Sequence, residues 1–276
     1  MKIETILSPL ELPALARRDL RGTVCVVFDI LRATSTFVTA LYHGAAAIIP
    51  VGEIAEATAL CQKQPGFLLA GERDGVRIRA AQKWDKHLAC LGDADDVGGT
   101  GQASSPSHYS PVDFDFGNSP REYTPERVRG KTIVSTTSNG TRALLACAQA
   151  KVVSAASFLN LTATAELLSG ENEILLVCAG TGDNPAVEDI LAAGALVDLL
   201  SPGKDTHSNK SSNSLVARAA YVHAVPAGLE NAIASSENGR RLSAITELRE
   251  DVAFCAQRDV FNLVARMDAG GVLRRV

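Results

Sequence analysis

Three stretches of the chain hold side chains that could act together on an anion. The first is Thr136-Thr137-Ser138-Asn139-Gly140-Thr141-Arg142-Ala143-Leu144, which follows an apolar run opening at Lys131. Ala143, Leu144, Cys147 and Ala148 recur on one helical face, so a strand, a polar turn and a helix start are expected. Such a turn aims free backbone N–H groups, hydroxyls and the Arg142 guanidinium at one space, which suits a phosphate or sulfonate. Asn-Gly is equally an ordinary turn, and Thr, Ser and Asn are ordinary caps, so this stretch alone does not decide between the two. The second stretch runs from Asp29 to Thr36. Here Thr34, Ser35 or Thr36 is expected to cap a helix carrying Phe37, Ala40, Leu41 and Gly44, with Asp29 and Arg32 at its mouth. The third is Glu188-Asp189 in the first turns of a helix, where the carboxylates either complement the helix dipole or ligate a hard cation such as Mg²⁺.

The elements that must position these residues alternate. Thr23 to Leu31 is a continuous β-rich run, as expected of a strand covered on both faces. Ala46 to Val51 and Phe67 to Glu72 read as further strands, with a helix from Glu53 to Gln62 between them. Val152 to Ser157 and Glu173 to Ala179 are strands in the second half, separated by a helix around Leu161 to Leu168. After Gly180-Thr181-Gly182-Asp183, Asn184 is the expected cap and Pro185 the first helical residue of the run carrying Val187, Ile190, Leu191, Ala195 and Leu199. The implied class is α/β: a mostly parallel or mixed sheet, or sheets, covered by helices. Functional loops then lie at the carboxyl ends of the strands, where Asp29, Arg32, Glu72 and Arg73 all fall.

One α/β catalytic unit over residues 1–276 is the expected organisation, with a division into lobes of about 1–125 and 126–276 as the alternative. Two polar stretches interrupt the pattern. Residues 80–111, which include Trp84, His87 and His108, read as an exposed, mobile loop insertion, and Ser201 to Ser214 as a linker with a solvated His207. The remainder, to Val276, is mainly helical by pattern, with Arg240, Arg241, Arg274 and Arg275 as solvated charge and His43 and His223 as structural residues.

Composition sets outer limits. With 46% hydrophobic and 21% charged residues the chain can bury a core, and a formal net charge of −4 without a basic run argues against nucleic acid as a partner. No run is long enough to cross a bilayer and Met1 to Arg18 lacks a signal-peptide core, so a cytoplasmic protein is expected, with homo-oligomerisation left open. Cys25, Cys61, Cys90, Cys147, Cys178 and Cys255 are scattered without a C-x-x-C pair, and are expected reduced and mostly buried. One motif reading fails and another stands only as a weaker alternative. Gly180-x-Gly182 has Pro185 in the third glycine position and no acidic residue at a following strand end, which removes the dinucleotide fingerprint. Asp113-x-Asp115 resembles the opening of the haloacid-dehalogenase signature, but a loop precedes it and Gly117 follows.

Five successive motifs together resemble one family. They are Asp29-Ile30-Leu31-Arg32-Ala33-Thr34-Ser35, Gly71-Glu72-Arg73-Asp74-Gly75, Phe114-Asp115-Phe116-Gly117-Asn118-Ser119-Pro120, Ser135 to Ala143, and Cys178-Ala179-Gly180 leading to Glu188-Asp189. In this order they resemble the 2-phosphosulfolactate phosphatases, as do Asp251, Cys255 and Asp259 near the end. The resemblance implies a fold unlike the haloacid-dehalogenase phosphatases. It also implies Mg²⁺-dependent hydrolysis of (2R)-2-phospho-3-sulfolactate to 3-sulfolactate, a step toward coenzyme M. Two departures are the 80–111 loop and Val264-Ala265, where the closing pattern more often has a proline.

On this reading Asp29, Glu188 and Asp189 are candidate Mg²⁺ ligands, with Asp29 alternatively the nucleophile. Arg32, Asn139, Thr141 and Arg142 are expected on phosphate or sulfonate, and Glu72, Arg73, Asn118 and Ser119 line the same mouth. Thr34, Ser35, Thr137, Ser138 and Gly140 complete the expected substrate cradle. The partner is a small anionic phosphorylated substrate. The alternatives are a phosphatase of another small phosphorylated hydroxy acid and a non-catalytic binder of small anionic metabolites.

Overall fold

A computed structural model describes residues 1–80, 112–201 and 209–276, together with the backbone of 83–84 and 108–109. The strands are β1 (Lys2–Ile6), β2 (Val24–Phe28), β3 (Ala47–Pro50), β4 (Leu68–Arg73), β5 (Val76–Arg77), β6 (Lys83–Trp84), β7 (His108–Tyr109), β8 (Thr132–Thr136), β9 (Val152–Ala156), β10 (Glu173–Cys178), β11 (Ala265–Met267) and β12 (Leu273–Arg275). The helices are α1 (Leu12–Leu15), α2 (Ala33–Tyr42), α3 (Ile54–Lys63), α4 (Pro125–Val128), α5 (Gly140–Ala146), α6 (Leu161–Leu167), α7 (Val187–Leu199), α8 (Ser212–Ala224), α9 (Leu229–Ala234), α10 (Glu237–Ser243) and α11 (Arg249–Cys255).

Ten strands form one mixed sheet in the order β1-β10-β2-β9-β11-β12-β3-β8-β4-β5, and β6 pairs with β7 separately. Strands from both halves of the chain interleave in the large sheet. Its parallel blocks are β1-β10-β2-β9 and β3-β8-β4, joined through the antiparallel hairpin β11-β12. The three antiparallel junctions around that hairpin leave the two blocks running in opposite senses. Strand twist accumulates to about 100–125° over the five steps from β2 to β8, at about 20–25° per step, and turns that opposition toward convergence. The carboxyl ends of β2 and β10 therefore meet those of β8 and β4 in one place.

Burial explains why β2 reads as an unbroken apolar run. Cys25 and Val27 face a core with α1, α2 and α5, while Val24, Val26 and Phe28 face a second core built by α6 to α11. A smaller third core packs α3 over β8 and β4 through Ile54, Ala57, Val134 and Leu69. Fully buried side chains of this size each contribute about 1.5–3 kcal/mol. Among the described residues Cys25, Cys147, Cys178 and Cys255 are buried, Cys61 is half-buried, and none forms a disulfide.

Two expectations shift. Helix α7 begins at Val187 rather than Pro185, because Thr181 and Asn184 close a turn through paired backbone bonds of 2.8 and 2.9 Å. The end of the Ser201–Ser214 stretch is not linker: Ser211 caps α8 by accepting from the Ser214 N–H. Residues 202–208, with His207, and most of 80–111, with His87 and Cys90 and the side chains of Trp84 and His108, lie outside the described residues. His43 is structural as expected, its Nδ1 lying 2.6 Å from the Tyr123 carbonyl oxygen.

Candidate active site

Asp29 stands where β2 gives way to α2. Its Oδ1 accepts the Ala33 N–H at 3.0 Å and its carbonyl accepts both the N–H and the hydroxyl of Thr34, each at 3.0 Å. Asp29 thus caps α2, in place of the expected Thr34, Ser35 or Thr36. Those hydroxyls lie within the first helical turn and point inward. Ser35 Oγ donates to the Ile30 carbonyl at 2.9 Å and Thr36 Oγ1 to the Asn118 carbonyl at 2.8 Å.

Three further segments close on Asp29. From α7, Asp189 is fixed between two backbone donors, Ile30 N–H at 2.8 Å and Gly180 N–H at 3.0 Å. Its neighbour Glu188 accepts from Asn238 Nδ2 at 2.7 Å. From β4, Glu72 accepts the Gly75 N–H at 2.7 Å and the Ser138 N–H at 2.8 Å, joining its own hairpin to the turn after β8. Asn139 fastens that turn to the one after β10, donating to the Ala179 and Gly182 carbonyls at 3.0 Å each and accepting the Gly182 N–H at 3.2 Å. Gly140 permits the approach, since a Cβ there would stand 2.6 Å from Asp29 Oδ2 and 2.5 Å from the Ala33 Cβ.

Four carboxylates, Asp29, Glu72, Glu188 and Asp189, are buried here. Burial pushes Asp29 up to about 7; the Ala33 N–H opposes this, the charges of Glu72 and Glu188 add to it, and Arg32 opposes it. Asp189 is held well above the usual carboxylate range by burial, then by Asp29 and Glu188. Among the described residues no ion pair neutralises any of the four. The nearby guanidinium groups bond elsewhere. Arg32 donates to Asp251 Oδ2 at 2.7 Å and to the Gly75 carbonyl at 2.6 Å, and Arg73 donates to the Glu72 carbonyl at 2.7 Å and to Thr136 Oγ1 at 3.0 Å. Uncompensated buried negative charge is costly and favours a proton or a cation.

The donor set fits Mg²⁺ in one particular way. No ready-made cage of three acidic, histidine or cysteine side chains is present among the described residues. Asp29 Oδ2 and Glu188 Oε2, however, accept from no protein donor among those residues, whereas both oxygens of Asp189 are taken by backbone N–H groups. Two carboxylates supplemented by waters and substrate oxygens is the ordinary pattern for Mg²⁺. Asp29 and Glu188 could hold the ion, and Asp189 braces the two loops that carry them.

The family model described as 2-phosphosulpholactate phosphatase matches residues 10–83 and 109–270. The chain belongs to the 2-phosphosulfolactate phosphatase family. That family's named activity is phosphoric monoester hydrolysis. A protein of Thermotoga petrophila named probable 2-phosphosulfolactate phosphatase is 38% identical over 89% of each chain. One of the same name from Caldanaerobacter subterraneus is 36% identical over 92% of this chain and 91% of its own, and one from Clostridium perfringens 32% identical over 99% and 96%. The match to the family model is interrupted at 84–108, within the stretch the sequence marks as an insertion.

Not every motif residue of the family pattern reaches the cluster in this chain. Arg142 is exposed, and two positions after Gly140 it lies about 200° around α5 from the face that meets Asp29. Thr137 and Thr141 spend their hydroxyls on each other's backbone: Thr137 Oγ1 accepts the Thr141 N–H at 3.1 Å and Thr141 Oγ1 accepts the Thr137 N–H at 3.2 Å. Ser119 donates to Asp251 Oδ1 at 2.7 Å, and the Asn118 carbonyl is taken by Thr36. Ser138 is half-buried and meets Glu72 through its backbone N–H. The haloacid-dehalogenase pair is placed elsewhere: Asp113 accepts the Ala80 N–H and Asp115 the Leu69 N–H, both at 2.8 Å and neither at a strand end.

Sequence reasoning missed Asn238 and Arg241. Asn238 holds Glu188, and Arg241 Nη2 donates to Asn238 Oδ1 at 3.1 Å. The Ser235–Arg241 run has no apolar periodicity to mark it, and a pair of arginines beside an asparagine was the sole signal.

Proposed function

We propose that the protein is a Mg²⁺-dependent phosphatase hydrolysing (2R)-2-phospho-3-sulfolactate to 3-sulfolactate and phosphate, a step on the way to coenzyme M. The observation that carries this reading is the cluster of four buried carboxylates, drawn from three segments and left without an ion pair among the described residues. When bound by Asp29 and Glu188, Mg²⁺ would supply positive charge to the oxygens of the transferring phosphoryl group. The chain's own residues set the geometry. Ala33 N–H orients Asp29 so that Oδ2 faces the gap left by Gly140, and Asp189 ties the Ile30 and Gly180 backbones together beneath it. Glu72 keeps the Ser138 turn against the β4 hairpin by accepting the N–H groups of Gly75 and Ser138. Burial of these groups limits water and strengthens each electrostatic contact.

The test is phosphate release from phosphosulfolactate by purified protein. Turnover with Mg²⁺, its loss in EDTA and its return on adding Mg²⁺ are expected. No phosphate from this substrate or from related 2-phospho acids at any Mg²⁺ concentration would overturn the reading. The interruption of the family match at 84–108 favours a second reading, in which another small phosphorylated hydroxy acid is the better substrate; a panel of such acids compared by kcat/KM decides between them.

A further inference from the structure

We propose that Arg241 is a specificity-determining residue, binding the sulfonate of the substrate. Resting on the phosphatase reading, this adds a recognition site to it. Arg241 lies on α10, a segment that none of the five resembling motifs includes.

Its guanidinium lies between the two sides of the carboxylate cluster. On one side Nη2 donates to Asn238 Oδ1 at 3.1 Å, and Asn238 in turn donates to Glu188 at 2.7 Å and to the Thr181 hydroxyl. On the other, Nη2 would stand 3.8 Å from a Cβ at Gly75, whose N–H is bonded to Glu72 and whose carbonyl is bonded to Arg32. Arg241 is thus one residue removed from Glu188 and one from Glu72. It is solvent-exposed, while both glutamates are buried.

Charge and depth give it a distinct task. A phosphoryl group undergoing transfer belongs against the carboxylates and their cation, at the depth of Asp29. Arg32 and Arg73 at that depth are committed to Asp251, Gly75, Glu72 and Thr136. Among the described residues Arg241 has a single hydrogen bond, so its other N–H donors are available to a ligand. A planar guanidinium at the mouth matches a sulfonate a few bonds out from the phosphate. Its bond to Asn238 fixes its direction, which reduces the ordering cost of binding.

The experiment compares wild type, Arg241→Ala and Arg241→Lys in Mg²⁺ buffer, with two readouts. The first is kcat/KM for phosphosulfolactate and for 2-phospholactate, which lacks the sulfonate. The second is calorimetric binding of 3-sulfolactate. Loss of a charge-assisted contact predicts a fall of about 10- to 100-fold for phosphosulfolactate in Arg241→Ala, mainly in KM, and less than about threefold for 2-phospholactate. Lysine should recover part of it. Equal falls for both substrates, or no fall for either, would overturn the assignment while leaving the phosphatase reading intact. If the wild type turns over neither substrate, that reading fails instead. Weaker sulfolactate binding by Arg241→Ala would then still support the recognition site, and equal or absent binding would overturn it.

Discussion

Asp29→Asn tests the electrostatic account because the substitution is nearly isosteric. The amide oxygen of asparagine can still accept the Ala33 N–H that Asp29 Oδ1 accepts at 3.0 Å, so the α2 cap survives. What disappears is the ionisation of a buried carboxyl raised from 3.8 to about 7. A difference of about three pH units, at about 1.4 kcal/mol each, is on the order of 4 kcal/mol. The sign follows from the direction. The folded protein prefers the protonated form, so this stability is fully present below 3.8 and is lost as pH rises through about 7. Asp189, raised partly by the charge of Asp29, is relieved by the same substitution.

Urea unfolding in EDTA from pH 4 to pH 8, followed by circular dichroism, reads the effect. The Asp29→Asn variant should match wild type within about 1 kcal/mol near pH 4 and exceed it by a few kcal/mol at pH 8. With Mg²⁺ present it should lose at least about a hundredfold in kcat, since a neutral amide is a poor partner for the cation. Parallel stability curves for the two proteins across the whole range would refute the reasoning, whatever happened to activity.

Two further outcomes follow from the same geometry. Asp251→Ala removes the partner of a fully buried Arg32 and also strands Ser119 Oγ, so it should destabilise by about 3–5 kcal/mol in urea titration. The double variant Arg32→Met/Asp251→Leu should recover most of that, because no lone charge is left buried. Gly140→Ala drives a methyl to 2.6 Å from Asp29 Oδ2; kcat/KM should drop at least about tenfold while the fold is kept, as read by steady-state kinetics beside a circular dichroism melt.

The strands were legible because burial on both faces requires continuous apolar runs, and β2, β8, β9 and β10 fall within two or three residues of their expected bounds. Helix caps were less legible. A side chain from the preceding strand end, Asp29, does locally what Thr34, Ser35 or Thr36 could have done, and periodicity does not distinguish them. Of the candidate site, Asp29, Glu72, Glu188, Asp189, Asn139 and Gly140 were found through carboxylates and turn chemistry at strand ends, and the structure brings them together. Arg142 and the paired hydroxyls of Thr137 and Thr141 have the right chemistry at the right position in the chain but the wrong direction in space.

By itself the sequence determined the α/β class, the polar turns after the strands and membership of a family whose motifs occur in order. Each of these depends on local pattern: apolar runs, turn residues and short motifs. The tertiary structure decided which turns face one another. Strand order is set by pairings such as β2 between β10 and β9, between segments far apart in the chain, and the twist of a ten-stranded sheet brings together the carboxyl ends of two blocks that run in opposite senses. Only then do Asn238 and Arg241, distant in sequence and without apolar periodicity to mark them, come to stand beside Glu188 and Gly75.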